Sequence, residues 1–308
     1  MPQRADALHP QAPRGSETLY SQFSELCQYA LIAEVSATPK PGLVDLHDSG
    51  AHRDMCFETF QASAAAITPY LTRMFAMGDQ WPDRDGIGLF EAIRPVGIEA
   101  EKAMFAATGG VNTHKGMIFS MGTVAAAAGL FYHRHGCFRA EEILDLAGSL
   151  CRHELECDFK RIDREHPKTH GEILYVTYGQ KGIRGEAQEG FPSIRLCSLP
   201  AMRELRKTCA DDNQVYINTL LALMSHVDDT NVLIRTGAME LAYEKAEAMR
   251  ILKLGGALTD GGMAALVQAN RDFIHRNISP GGCADLLAVT IFLWNLEQYE
   301  EEKDETTN

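Results

Sequence analysis

Apolar residues recur at threes and fours along most of this chain, a spacing that calls for helices. Phe23, Cys27 and Ala30 share one face with Glu34, beside Leu26 and Leu31, and Phe60, Ala64, Ile67, Leu71 and Met74 repeat in the same way. Further helical patterns run from Leu89 to Ala107, through "HKGMIFSMGTVAAAAGLFYH", and near 140–156, 212–227, 237–254, 260–277 and 283–300. Pro69 should kink its helix, and Pro95 should interrupt the next. Gly116, Gly122 and Gly129 cost helix propensity but let neighbouring backbones approach. The run "EILYVTYG" is strand-like and ambiguous. No alternation of strands with helices is visible, which argues against a parallel α/β sheet. The expected fold is all-α.

The 308 residues are 45% hydrophobic, enough for a sizeable core, and no compositional break divides them. One catalytic domain over 17–300 is expected, flanked by disordered tails at 1–16 and 301–308. A net charge of −13 with no Lys/Arg-rich run makes nucleic acid a poor partner. The polar N-terminus lacks a signal-peptide core, and stretches such as "GTVAAAAGLF" are too short to span a bilayer. A soluble cytoplasmic protein with no membrane partner is expected. None of the eight cysteines forms a Cys-x-x-Cys pair, which lowers the odds of a structural zinc. Cys151, His153 and Cys157 read as a helical segment with buried thiols.

The polar clusters fall between the helices, in five glycine-rich stretches. In "ATPKPGLVDLHDSGAHRDM", Lys40 stands between two prolines in a stiff extended turn, which suits a lysine presented to phosphate. Asp45, Asp48 and Asp54 are hard oxygen ligands suited to magnesium, although Asp54 could equally cap the next helix. In "GGVNTHKGMIFSMG", Asn112, Thr113, His114 and Lys115 lead from two glycines into a helix, a natural anion site without the Walker spacing. In "GIRGEAQEGFP", glycines frame Arg184 and Glu186, and a bare loop is the default. In "SHVDDTNVLIRTG", Asp228 and Asp229 adjoin at a helix end, with Asn231 and Arg235 behind. Adjacent carboxylates repel, a cost usually offset by a cation. In "NISPGGCADLLAVTIFLW", Asp285 lies in a first helical turn, where the helix dipole alone would explain it. Glu34, on an apolar face, needs a partner or a raised pKa.

The phrases "PKPGLVD", "GAHRDM", "GVNTHKG" with "IFSMG", "RGEAQEGFP", "DTNV" and "SPGGCADLL", in this order from about Glu34 to Leu293, resemble the triphosphoribosyl-dephospho-CoA synthases. That family makes the prosthetic-group precursor of citrate lyase, and close relatives serve malonate decarboxylase. The resemblance implies an all-helical fold and a reaction of ATP with 3′-dephospho-CoA that releases adenine and keeps the triphosphate on the ribose. It also implies inversion at the ribose, hence one direct displacement. Mg²⁺ on Asp54 and Asp229, with Asp45 as a further candidate ligand, would meet the triphosphate. Lys40, Lys115 and Arg235 would be its direct partners, with Asn112, His114, Arg184 and Asn231 as further substrate-binding residues. Asp54 is also a catalytic candidate, and Glu34 or Glu186 would be the general base. The family commonly has glycine before "DTN" where this chain has Asp228, so Asp229 is the safer metal candidate. Residues from about Cys151 to Tyr178 match no family phrase.

Two other readings stay open: a Mg-dependent ADP-ribosyl hydrolase-like enzyme, and a non-catalytic nucleotide-binding partner of a lyase. "THKG" and "PKPGLVD" argue against the first. The oligomeric state is open, with a homodimer among the options.

Overall fold

The computed structural model describes residues 14–307, with side chains described for 18–301. Thirteen α-helices follow one another, and no strand occurs among the described residues. They are α1 (Arg14–Ser36), α2 (Phe57–Asp79), α3 (Leu89–Ala107), α4 (Lys115–His135), α5 (Ala140–Lys160), α6 (His170–Tyr178) and α7 (Gly182–Gln188). After a π-helical turn, Ile194–Ser198, come α8 (Leu199–Arg206), α9 (Asp212–His226), α10 (Thr230–Thr236) and α11 (Ala238–Lys253). A 3₁₀ turn, Gly256–Leu258, leads to α12 (Asp260–Arg276) and α13 (Gly281–Thr307). The fold is all-α, as the periodicity requires. Helix α1 starts at Arg14 and α13 continues to Thr307, inside the segments read as tails. Residues 1–13 and Asn308 lie outside the described residues.

Helix α4 is the central element. Every residue from Ser120 to Phe131 is buried. At 21 residues it has the length and composition of a membrane span, but 78% of its most apolar window is buried inside the fold. It therefore serves as a core helix.

Of its glycines at 116, 122 and 129, only Gly129 lets a neighbouring backbone approach; Gly122 makes room for the Met74 side chain and Gly116 for that of Asp285. A Cβ on Gly129 would collide with the Phe75 carbonyl of α2 and lie 2.8 Å from the Asp79 nitrogen. Reciprocally, a Cβ on Gly78 would collide with the Ala126 carbonyl of α4. The two helices thus meet backbone to backbone. Phe23 of α1 stacks on Phe75 at 4.1 Å between centroids and meets Phe292 of α13 edge-on at 5.2 Å, which fastens both terminal helices to this pair.

Pro69 and Pro95 both lie inside helices, which continue through them. The ambiguous "EILYVTYG" is helical: the Thr169 hydroxyl caps α6 by accepting from the Glu172 N–H at 3.2 Å. Two further stretches read as loop or turn contain short helices. One is α7, where glycines mask the pattern. The other is α10, whose N-cap Asp229 accepts from two backbone N–H groups of its first turn.

Candidate active site

The loop after α1, the start of α4, α7, the turn into α10 and the start of α13 converge on one cavity of about 840 Å³. All five polar stretches therefore meet, although they span more than two hundred residues of sequence. The volume lies within the range of small-molecule and cofactor sites.

The first loop is braced from within and from α12. The Asp45 carboxylate accepts from the Thr38 hydroxyl (2.9 Å) and from the backbone N–H of Lys40 (3.1 Å), His47 (2.8 Å) and Asp48 (3.0 Å). Asp45 is buried and does not line the cavity. Its oxygens hold the loop's shape, which corrects the reading of Asp45 as a metal ligand. Asn270 of α12 accepts from the Gly42 N–H at 2.9 Å and donates to Asp48 at 2.7 Å. Gly42 has φ +73°, and a Cβ there would collide with the Ile278 carbonyl, so only glycine closes this contact.

The braced loop directs Lys40 inward. It is 1% exposed and ion-paired with Glu34, itself 4% exposed, and its ammonium also donates to the Glu34 carbonyl at 2.8 Å. Burial pushes the Glu34 carboxyl up, and Lys40 pulls it back down. The partner that the sequence demanded for Glu34 is thus Lys40. Farther along, Asp54 is exposed at the cavity wall. It is not the cap of α2, a place taken by Cys56. Arg235 donates to the Ala51 carbonyl (2.9 Å) and to Asn277 (2.6 Å), so it pins this loop to the end of α12 while lining the cavity. His52 and Ser279, which the sequence did not single out, share a 2.8 Å hydrogen bond across the wall.

At the start of α4, His114 is the N-cap residue and is buried. Its Nδ1 meets the Ser63 hydroxyl at 2.6 Å, and that hydroxyl accepts from Thr113 at 2.7 Å. Burial, and then the charge of Lys40, push the His114 imidazole down to about 3. His114 is therefore neutral and can carry a hydrogen bond but no charge to a phosphate. Lys115 is 56% exposed and paired with Glu101 at 3.1 Å. Such an exposed pair is worth at most about 1 kcal/mol, so the ammonium can exchange it for an incoming anion. Asn112 accepts from the Lys115 N–H at 3.2 Å.

Glu186 lines the cavity from α7 and accepts from the Ser193 hydroxyl (2.6 Å) and N–H (3.1 Å). Burial pushes its carboxyl up, while the Ser193 bonds pull it down. The connection runs through Phe191, fully buried at φ +52°, a strained backbone for a bulky residue that its packing holds in place. Arg184, two residues earlier, lines a separate cavity of about 230 Å³ between α3, α4, α5 and α7, together with Phe90, Ile98 and Glu101. The expectation that Arg184 joins the other substrate-binding residues is corrected: one helical turn cannot aim both residues the same way.

Asp229 is 1% exposed. One oxygen accepts from the N–H groups of Asn231 (2.8 Å) and Val232 (3.4 Å), the other from Cys283 of α13 (2.8 Å). These bonds oppose the desolvation that raises its pKa. Asp228 pairs instead with Lys245 at 2.6 Å. Gly282 lies under the Asp229 carboxylate and Gly281 under the Asn231 amide, each close enough that a Cβ would stand about 3 Å away. Asp285, which the dipole reading set aside, also lines the cavity. Among the described residues no group of three His, Cys, Asp or Glu side chains forms a metal cage.

The chain is also similar to known proteins along most of its length. The family model described as CitG: ATP:dephospho-CoA triphosphoribosyl transferase matches residues 20–304. A 2-(5″-triphosphoribosyl)-3′-dephosphocoenzyme-A synthase of Klebsiella pneumoniae is 40% identical over 264 residues, 86% of this chain and 87% of the relative. Probable synthases of the same name from Vibrio cholerae and Photobacterium profundum are each 40% identical, over 273 residues (89% of this chain, 87% of the relative) and 283 residues (92% and 89%) respectively. No solved structure matches the chain. With nearly all of its helical body matched, the chain belongs to the ATP:dephospho-CoA triphosphoribosyl transferase family.

Proposed function

We propose that the protein joins the triphosphoribosyl part of ATP to the 2′-hydroxyl of 3′-dephospho-CoA, releases adenine, and so makes the prosthetic-group precursor of citrate lyase or malonate decarboxylase. The observation that carries this reading is the convergence of all five polar stretches on one cavity, in a chain 40% identical to named synthases. The cytoplasm is the compartment in which ATP and dephospho-CoA are supplied. The hydrolase-like alternative has no comparable support.

The chemistry assigns roles by what each side chain is free to do. The bond from the ribose C1′ to the adenine nitrogen breaks, and positive charge develops on the sugar, which nearby carboxylates stabilise. Lys115, Asn112 and the first N–H groups of α4 receive the triphosphate. Lys40 acts at one remove: its charge is spent on Glu34, and the pair fixes the wall beside His114. Arg235 keeps the first loop closed over the cavity. Glu186, partly open to the cavity and oriented by Ser193, is the base that takes the proton of the attacking 2′-hydroxyl. Glu34 is locked to Lys40 and is the poorer candidate.

Magnesium fits in one way. Asp229 has both oxygens engaged by backbone N–H groups, and Asp45 is outside the cavity. Of the two exposed aspartates lining the cavity, Asp228 is paired with Lys245, which leaves Asp54. Mg²⁺ commonly uses one or two carboxylates together with substrate phosphates, so Asp54 would hold the ion that arrives with ATP. When bound, the ion would neutralise charge on the triphosphate.

The test is product analysis. Purified protein with ATP and Mg²⁺ should release adenine only when 3′-dephospho-CoA is added, as read by chromatography. Release of ADP or AMP instead, or adenine formation that ignores the acceptor, would overturn the assignment.

A further inference from the structure

Three carboxylates from distant parts of the chain, Glu34, Asp229 and Asp285, line the inner part of the cavity. Two of them are accounted for. Glu34 has the Lys40 ammonium, and Asp229 has three backbone N–H groups. Asp285 has neither: among the described residues no hydrogen bond and no ion pair reaches its carboxyl. Its place is nonetheless built. It sits one turn into α13 against the first turn of α4, where a Cβ on Gly116 would collide with Asp285 Oδ2. Any residue but glycine at 116 would displace the carboxyl from the cavity wall.

From this geometry we infer that Asp285 is the proton donor to the departing adenine. The inference rests on the transferase reading given above. When the C1′–N bond breaks, its electron pair goes to the adenine ring, and the Asp285 carboxyl proton passes to a ring nitrogen, so neutral adenine leaves. The acceptor's 2′-hydroxyl bonds to C1′ and loses its proton to Glu186. One proton is given and one taken, and exchange with solvent then restores both carboxyls.

The surroundings select this protonation state. The charged and titratable groups that line the same wall are Glu34 and Lys40 from α1 and its loop, His114 and Lys115 at the start of α4, and Asp229 before α10. His114 is neutral, and Lys40 is already paired. Burial first, then the charges of Glu34 and Asp229, push the Asp285 carboxyl well above its ordinary value. Carboxyls whose environments drive their pKa values apart divide acid and base roles between them.

The decisive experiment changes the leaving group. Nicotinamide riboside 5′-triphosphate carries a cationic base that departs neutral without receiving a proton. Asp285→Asn should lose about 10²- to 10⁴-fold in kcat with ATP, the usual contribution of a general acid. With the nicotinamide donor it should lose less than about tenfold. Glu186→Gln, by contrast, should lose activity with both donors, because the acceptor hydroxyl is the same. The pH profile gives a second readout independent of the analogue. Wild-type kcat/KM with ATP should fall at high pH as the donor deprotonates, and that limb should vanish in Asp285→Asn. Equal losses with both donors, or an unchanged alkaline limb, would overturn the proposal. Wild-type adenine release that depends on 3′-dephospho-CoA tests the transferase reading separately, and can succeed while the role of Asp285 fails.

Discussion

Replacing Lys40 by methionine tests the reading of the buried pair. Methionine keeps the length and apolar stem of lysine but leaves the Glu34 carboxyl, 4% exposed, without its cation. Removing one partner of a buried ion pair costs roughly 3–5 kcal/mol, because the remaining charge is uncompensated. Glutamate has an escape, since it can bind a proton. With an unfolded value of about 4.3 and 1.36 kcal/mol per unit, holding the carboxyl neutral costs about 3.7 kcal/mol at pH 7 and about 1 kcal/mol at pH 5. The two figures meet at neutral pH, so Lys40→Met should be destabilised by about 3–4 kcal/mol there. A carboxyl raised on folding gives its full stability below its unfolded value and loses it as pH rises through the folded one, so the deficit should shrink to about 1 kcal/mol at pH 5. Urea midpoints of wild type and variant at both pH values measure this. The double variant Glu34→Gln with Lys40→Met should show no such pH dependence. A deficit of equal size at pH 5 and pH 7 would refute the account.

Gly129→Ala should destabilise by about 1–2 kcal/mol in urea, because the collision with the Phe75 carbonyl outweighs the ~1 kcal/mol of helix propensity gained; a more stable variant would refute backbone contact between α2 and α4. Glu244 is fully buried, has no hydrogen-bond partner at either oxygen, and is pushed up to about 9 by burial and then by Asp229. It binds a proton on folding, so it costs stability increasingly as pH rises from about 4.5 toward 9; Glu244→Met should gain more stability at pH 8 than at pH 5, measured by thermal midpoints. Asp54→Asn should raise the Mg²⁺ concentration needed for half-maximal activity at fixed ATP while leaving the helical circular dichroism spectrum unchanged; an unshifted Mg²⁺ titration would return Asp54 to the surface.

The long helices were legible because each buries one face, and a face is written into the sequence as spacing. Helix α3 occupies Leu89 to Ala107 as its pattern marks it. Helices α7 and α10, each 7 residues long, were not legible, since two turns give no measurable period. They form through tertiary contacts: Phe191 plugged into the core behind α7, and Asp229 capping α10 while reaching across to Cys283. Helix α6 was masked by β-branched and aromatic residues, whose preference is weak beside a Thr169 cap. In the site, sequence could name residue types but not directions. Asp45 and Asp54 lie in one loop and look alike as oxygen ligands, yet one braces the loop and the other faces the cavity. Ser193 gave no signal at all, because a single serine becomes informative only when a carboxylate is seen against it.

The glycines show why motif and mechanism are not the same statement. Glycine beside polar residues reads as an anion cradle, and at the start of α4 that reading fits the free N–H groups of the helix. Around the cavity, glycines also serve acids and amides, one of them at this same helix start. Gly282 makes room for the Asp229 carboxylate, Gly281 for the Asn231 amide and Gly116 for Asp285, while Gly42 lets the first loop lie against Ile278. A site that handles a growing positive charge on a sugar needs carboxylates close together, and close carboxylates repel unless each has its own solution. Here one takes a lysine, one takes backbone donors, and one keeps a proton. The absence of side chains at 116 and 282 lets two of these carboxylates sit against helix starts within a single cavity wall. The glycine-rich phrases are thus required by the packing of acids as much as by the binding of phosphate.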